Sequence, residues 1–147
     1  MAKVVVVEGG RIRCAWRFTA GAVPRPLTKA WAALTAVPQF DAMLVNGLVL
    51  VATTGGTTGA TSASAPTQAG PNQTDGSVVW AACSMSGLAL ALMVVNTDAG
   101  VAFLGDSTVQ LVPIEGGFGQ VTNLAPTPLS VYASAPAPTS LTVVLSS

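Results

Sequence analysis

The sequence predicts an all-β fold, either an antiparallel β-sandwich or a jelly-roll-like barrel with short strands and one long flexible loop. Apolar residues alternate with a period of two in several segments, which places them on one face of a strand. Turn-forming residues recur about every 8 to 12 positions in the C-terminal third, and no segment of helical period lies between them. Many short strands joined by such turns are typical of sandwiches and barrels.

The N-terminal segment contains two strand-like runs separated by a pair of glycines. Residues 4–7 are four valines, and in residues 11–18 large apolar side chains or cysteine alternate with arginine or alanine. In the second run Cys14, Trp16 and Phe18 fall on one face, and arginines fall on the other. The two runs predict a hairpin that turns at the glycine pair.

Three further segments lie between residues 23 and 52. Residues 23–26 hold two prolines and are expected to be extended, because a residue that precedes proline avoids helical geometry. Residues 27–37 fit a strand, which we favour, although the spacing of their apolar residues also fits a short helix. Residues 43–52 form either one buried strand or a hairpin that turns at Asn46 and Gly47, the dipeptide most typical of tight hairpins.

Residues 53–77 are rich in Thr, Ser and Gly and contain no aromatic or large aliphatic side chain. They therefore offer little to bury, and we expect a long exposed loop. Such a loop is either a tolerated insertion between strands or a segment that makes contacts of its own.

The C-terminal third predicts a series of strands. Residues 88–95 alternate between large and small apolar side chains, which indicates a strand. Turn residues at 96–100 follow, and a strand at 101–104 is expected to complete a hairpin. Further strands are predicted at residues 109–114, around Tyr132 and at residues 141–145.

The composition indicates one globular domain, residues 1–147, that lives in an assembly. Half of the residues are hydrophobic and only 8% are charged, which is little charge for the surface of a monomer. The most apolar window, residues 78–95, is barely long enough to span a membrane, and no basic cluster flanks it, so we expect no membrane association. Residues 4–7 are too short a run for a signal peptide. The protein is expected to stay inside the cell until it assembles.

Charge is distributed unevenly along the chain. All six basic residues lie within the first 29 positions, which carry a net charge of +5, and the remaining residues carry −5. This basic segment, residues 1–29, favours contact with an acidic surface on another protein or another copy. Nucleic acid is an unlikely partner, because the aromatic side chains at 11–18 face away from the arginines. The candidate partner-binding residues are Arg11, Arg13, Arg17, Arg25 and Lys29.

The sequence offers little for catalysis or for a cofactor. It contains no histidine, and its carboxylates are scattered. Two cysteines cannot supply the usual four zinc ligands, and without a secretion signal Cys14 and Cys83 are expected to be buried thiols. The acidic turns near Asp98 and Asp106 lack the dense oxygen ligands that calcium needs. We therefore predict a protein that is not an enzyme and binds no cofactor or metal.

The C-terminal third resembles small structural proteins of tailed bacteriophages. The resemblance covers about 55 residues and consists of a strand ending in Asn-Thr, an aromatic-Leu-Gly-x-Ser turn, Pro-x-x-Gly-Gly-Phe, Asn-Leu and Val-Tyr-Ala-Ser. The matching positions are residues 101–108, 113–118, 123–124 and 131–134. They are turns and core positions, so the resemblance assigns no catalytic residue.

This resemblance implies a β-sandwich or jelly roll on a virion, assembled in the cytoplasm of the bacterial host. It favours a capsid decoration or cement protein that binds the major capsid protein or another virion protein and stabilises the head. It also implies a homo-oligomer, with a trimer slightly favoured over a dimer. The alternatives are a tail, baseplate or head-fibre component, which would share the fold, and a carbohydrate-binding β-sandwich for host attachment. Sugar binding needs exposed aromatic rings, and the candidates Trp16, Trp31, Trp80 and Tyr132 all lie in apolar segments that indicate core.

Overall fold

The structure is a computed structural model that describes residues 12–85, 91–122 and 131–146. The prediction of an all-β fold is confirmed, since the described residues form sheets of mostly antiparallel strands and one short 3₁₀ turn. These sheets do not close into a barrel, so the sandwich-like alternative is the one that fits. Contacts divide the chain into two compact units, the first within Met1–Leu27 and Leu88–Ser147 and the second within Thr28–Gly87. That the whole chain is a single domain stays a prediction.

The first unit contains two four-stranded antiparallel sheets. One has the strand order β1-β15-β10-β13, and the other has the order β12-β11-β14-β2. Their strands are β1 (Ile12–Ala20), β2 (Arg25–Pro26), β10 (Ala91–Asn96), β11 (Ala102–Gly105), β12 (Gln110–Ile114), β13 (Gly119–Thr122), β14 (Tyr132–Ser134) and β15 (Thr139–Ser146).

Strand β1 confirms the alternation read from the sequence. Cys14, Trp16 and Phe18 are buried, and the residues between them, including Arg17, are exposed. β1 pairs with β15 along its whole length, with Trp16 opposite Val143. The Trp16 indole N–H donates to the backbone carbonyl of Leu27 at 3.0 Å, so its one polar group is satisfied in the core. The predicted hairpin partner at residues 4–7 lies outside the described residues.

The hairpin predicted across residues 96–100 is wrong. β10 pairs with β13 and β15, and β11 pairs with β12 and β14, so the two strands belong to different sheets. The fully buried Asn96 explains why the chain passes from one sheet to the other between β10 and β11. Its amide nitrogen donates to the carbonyls of Gly100 (2.7 Å) and Ile114 (2.9 Å). The side chain thereby holds the connection in place of a hairpin ladder. The turns and strands predicted beyond residue 104 do occur, including the β11–β12 hairpin.

The second unit is built on a five-stranded sheet with the order β3-β5-β6-β9-β8 and a separate β4–β7 pair. All pairings are antiparallel except β3 with β5. Its elements are β3 (Lys29–Ala30), β4 (Ala36–Val37), β5 (Ala42–Val45), β6 (Leu48–Thr54), β7 (Gly56–Thr57), a 3₁₀ turn (Ser62–Ser64), β8 (Gly70–Asp75) and β9 (Val78–Ser84). Trp80, Leu50 and Met43 are fully buried in its core.

The β5–β6 hairpin turns at Asn46 and Gly47, as one of the two alternatives from the sequence predicts. Both residues have positive φ angles, 52° and 72°, as a two-residue hairpin turn requires. Residues 27–37 are not one strand. They form the short strands β3 and β4, and Leu34 between them has a φ of 50°, which neither a helix nor a strand accommodates.

The prediction that residues 53–77 form one exposed loop is wrong. The segment ends β6 and contains β7, the 3₁₀ turn and all of β8. It also buries Thr58, Ala65 and Asp75. The segment lacks large apolar side chains, but backbone pairing and buried polar groups that form hydrogen bonds fix its structure.

In the part of the chain that the structure describes, no helix is long and apolar enough to cross a membrane.

The two cysteines belong to different units. Cys14 is buried and Cys83 is half-buried, and both are thiols.

Candidate functional site

The predicted basic residues do not form one cluster in a single unit. Arg11 lies outside the described residues, and only the backbone of Arg13 is described. Arg17 and Arg25 are exposed in the first unit, and Lys29 is exposed in the second. The described part of the first unit therefore exposes two of the five candidates.

Arg25 is the best defined of these cations. Its guanidinium carbon lies 4.8 Å from the centre of the Phe18 ring, and its Nη2 donates to the backbone carbonyl of Thr19. Stacking on an aromatic face and one hydrogen bond hold the side chain in place. A guanidinium carries five N–H donors, so this arrangement leaves donors for a carboxylate on a partner.

The strand β12 exposes an unusual amount of apolar surface. Leu111 and Val112 in this strand are 77% and 43% exposed, and Val109 just before it is 47% exposed. β12 is the outermost strand of its sheet and pairs only with β11 among the described strands. Side chains at 111 and 112 point to opposite faces of the strand, so both faces of this edge are apolar. Large apolar side chains gathered at one edge are typical of a contact surface.

The second unit holds a buried carboxylate, Asp75, which is only 1% exposed. Its Oδ2 accepts hydrogen bonds from the indole nitrogens of Trp31 (2.7 Å) and Trp80 (3.0 Å). Its Oδ1 accepts from the backbone N–H of Gly59 (2.8 Å) and from the hydroxyl of Ser64 (2.6 Å). One side chain thus joins β8 and β9 to the segments that carry Trp31, Gly59 and Ser64.

Hydrogen bonding keeps this carboxylate ionised. Burial raises the pKa of Asp75, but the hydrogen bonds from Ser64, Trp31, Gly59 and Trp80 together outweigh it, so the pKa lies below its ordinary value of 3.8. All four partners are uncharged donors. The arrangement is a structural anchor in which four uncharged donors among the described residues stabilise the charge.

The role of Asp75 was not predicted, because residues 53–77 contain no large apolar side chain and were expected to be solvent-exposed. A weak signal was present, since Asp75 stands five residues before Trp80 in a segment with no basic residue. The partners Trp31 and Gly59 are distant in the sequence, and no local pattern connects them to Asp75.

The aromatic side chains considered for sugar stacking are mostly unavailable. Trp16 and Trp80 are buried, and Trp31 is half-buried with its N–H bonded to Asp75. Tyr132 is half-buried in β14. The prediction that Trp16 and Trp80 belong to the core is confirmed.

Within the described ranges, no three acidic, cysteine or histidine side chains lie close enough together to hold a metal ion. Comparisons with protein families, curated proteins and solved structures find no match for this chain.

Proposed function

We propose that the protein is a non-enzymatic structural subunit of a tailed-bacteriophage virion, most simply a decoration protein that cements the capsid. On this proposal it binds itself and the major capsid protein or another virion protein, and it is located on the capsid surface. The resemblance of residues 101–134 to virion proteins supports the type of particle.

The observation that carries the proposal is the exposed apolar strand β12. A chain with only 8% charged residues has little charge to keep such an edge soluble, and Leu111 is 77% exposed. At about 25 cal/mol per Å², covering a side chain of this size stabilises a contact by about 1.5 to 3 kcal/mol. An assembly partner is the simplest source of that cover.

The outer strands of the same sheet also carry a feature that controls association. β12 contains Pro113, and β2 contains Pro26 with Pro24 just before it. Proline has no N–H to offer a neighbouring strand, so these edges resist uncontrolled strand addition. Association then depends on side-chain complementarity, which suits a subunit that must assemble in a defined way.

A tail, baseplate or head-fibre location remains the alternative within the same class. Sugar binding has less support, because Trp16 and Trp80 are buried and Trp31 is bonded to Asp75.

The test is binding of the purified protein to virions from which it has been stripped, with capsids and tails separated by centrifugation. We expect saturable binding to capsids. Binding to tails alone would replace the cement proposal by the tail alternative. Binding to neither particle, or binding on a glycan array instead, would overturn the proposal.

A further inference from the structure

We propose that copies of this chain join head to tail, with strand β12 of one copy against strand β2 of the next. This rests on the proposed function, because it names the partner that covers the exposed apolar strand. The two surfaces are the outermost strands of one sheet, β12-β11-β14-β2, so each copy carries both halves of the contact.

The β2 end combines apolar and basic groups. Val23 is 72% exposed, and Pro24 and Arg25 beside it are exposed as well. Phe18 and the carbonyl of Thr19 fix the Arg25 guanidinium. A cation that is held in place loses little conformational entropy when it binds a carboxylate.

The β12 end combines apolar and acidic groups. Leu111 and Val112 are exposed, and the exposed acids Asp106 and Glu115 flank the strand on its two sides in the sequence. Between these acids there is no basic residue. Both ends therefore expose apolar side chains, and the charges beside these side chains are opposite in sign.

Charge also decides which symmetry is favourable. A two-fold axis at β12 would bring Asp106 and Glu115 of two copies together, and a two-fold axis at β2 would bring Arg25 onto Arg25. Like charges in one interface cost binding free energy. No basic residue occurs after Lys29, so a second copy can neutralise the acids at β12 only with its N-terminal segment. A heterologous contact, in which β12 of one copy meets β2 of the next, covers the apolar side chains of both edges and pairs opposite charges.

Strand direction is compatible with this arrangement. Each neighbouring pair in the sheet is antiparallel, so β2 and β12 run in opposite directions. A second copy related by a shift along the sheet would place its β2 antiparallel to β12 and continue the alternation. Because Pro24, Pro26 and Pro113 lack N–H groups, side chains rather than a full ladder supply the contact. Such a contact closes into a ring or continues as a filament.

Two matched variants test the proposal. Leu111→Asp blocks the β12 half, and Val23→Asp blocks the β2 half by placing a negative charge opposite the acids at β12. Both side chains are more than two-thirds exposed, so neither change disturbs a core. Each variant alone is expected to weaken self-association about tenfold or more, measured by analytical ultracentrifugation.

The mixture of the two variants gives the decisive result. A Leu111→Asp copy keeps an intact β2 half and a Val23→Asp copy keeps an intact β12 half, so an equal mixture should form pairs that contain one copy of each. The control is Leu34→Asp in the second unit, where Leu34 is 70% exposed. This variant should keep the parental mass.

Three results would overturn the proposal. They are a monomeric parent, variants that keep the parental mass, and a mixture that stays monomeric although each variant alone dissociates. The last result would indicate a two-fold interface in which each copy uses both edges at once, whereas a two-fold contact at β12 alone or at β2 alone would leave one of the two variants with the parental mass. Circular dichroism confirms that each variant is folded. Binding of the same proteins to stripped particles separates this inference from the proposed function, since a parent that binds capsids as a monomer would refute only the head-to-tail contact.

Discussion

At the scale of single residues, Asp75 is expected to contribute strongly to stability. Asp75→Asn replaces one acceptor oxygen by an NH₂ group, which would face the donors that now bind the carboxylate. A buried donor without an acceptor and the loss of charge-assisted bonds should together lower the free energy of unfolding by about 2 to 4 kcal/mol. Urea denaturation followed by tryptophan fluorescence measures the change.

Asp106→Asn is the matched control. The Asp106 carboxylate also accepts several hydrogen bonds, from the backbone N–H groups of Thr108 and Val109 and from the Thr108 hydroxyl, but it is exposed in a turn. Asn keeps one oxygen for these donors and can turn its NH₂ group to water. We expect a clearly smaller loss than at Asp75. An equal loss in both variants would show that burial of Asp75 adds nothing.

The pH dependence of stability follows from the same residue. The pKa of Asp75 is lowered in the folded chain by its hydrogen bonds, against the effect of burial. As the pH falls, the unfolded chain therefore protonates this carboxyl at a higher pH than the folded chain does. The stability that Asp75 contributes is complete well above pH 3.8 and is lost as the pH falls through the pKa of the folded state. Urea midpoints between pH 7 and pH 3 should fall most steeply below about pH 4. The Asp75→Asn variant should lack the part of this decrease that Asp75 causes. If the urea midpoints of the parent and the variant fall in parallel with pH, the assignment to Asp75 is wrong.

At the scale of elements, residues 55–64 should not tolerate replacement by a Gly-Ser linker of equal length. With glycine at positions 58 and 64, the change removes the Ser64 hydroxyl that donates to Asp75 and the buried Thr58, whose hydroxyl donates to the carbonyl of Ala32 at 2.6 Å. The more flexible chain also no longer favours β7 or the position from which the Gly59 N–H reaches Asp75. A loss of about 3 kcal/mol corresponds to a melting temperature lower by roughly 10 °C for a chain of this size. Calorimetry of the parent and the variant measures the shift.

The control replaces residues 67–69, which are exposed and lie between the 3₁₀ turn and β8. Their backbone carbonyls remain after the change, including the one at Gln68 that accepts from the Gln73 side chain. The melting temperature should change by less than about 2 °C, as is usual for exposed positions. A large decrease in both variants, or in neither, would contradict the folded structure of residues 55–64.

The elements also show what the sequence could and could not predict. Alternation identified the buried face of β1, and Asn46 with Gly47 identified the β5–β6 hairpin, because strand period and turn geometry are local properties. The false hairpin at residues 96–100 had an equally good local pattern. Its failure comes from Asn96, whose amide bonds to Ile114 eighteen positions away, and contacts of that range leave no mark on a local pattern.

The candidate surface was predictable only in part. Charge asymmetry indicated that the N-terminal segment contacts a partner, and the structure places exposed arginines at residues 17 and 25. Nothing in the sequence distinguished the apolar residues of β12 from those of a core strand. Leu111 and Val112 are as apolar as Val143 on β15, yet they are exposed whereas Val143 is fully buried.

At the scale of the whole molecule, attachment to a particle should depend on the basic N-terminal segment. A carboxylate surface on the capsid or on a neighbouring copy would attract these cations, and salt screens exposed charges over about 10 Å at 0.1 M. One exposed pair contributes only about 0 to 1 kcal/mol, so single substitutions should have small effects. The triple variant Arg11→Ser, Arg13→Ser, Arg17→Ser should therefore show clearly reduced occupancy on stripped particles.

The measurement compares the triple variant with the double variant Ala15→Ser, Thr19→Ser, which changes two exposed positions on the same strand and keeps every charge. Binding of the parent and of the double variant should weaken together as salt is raised, whereas the triple variant should bind less and depend less on salt. Because Arg17 points away from the buried face of β1, its loss should leave the fold intact. If the triple variant binds as well as the parent at both low and high salt, these arginines only solvate the outer face of β1. In that case attachment to the particle would not depend on the charge of the basic segment.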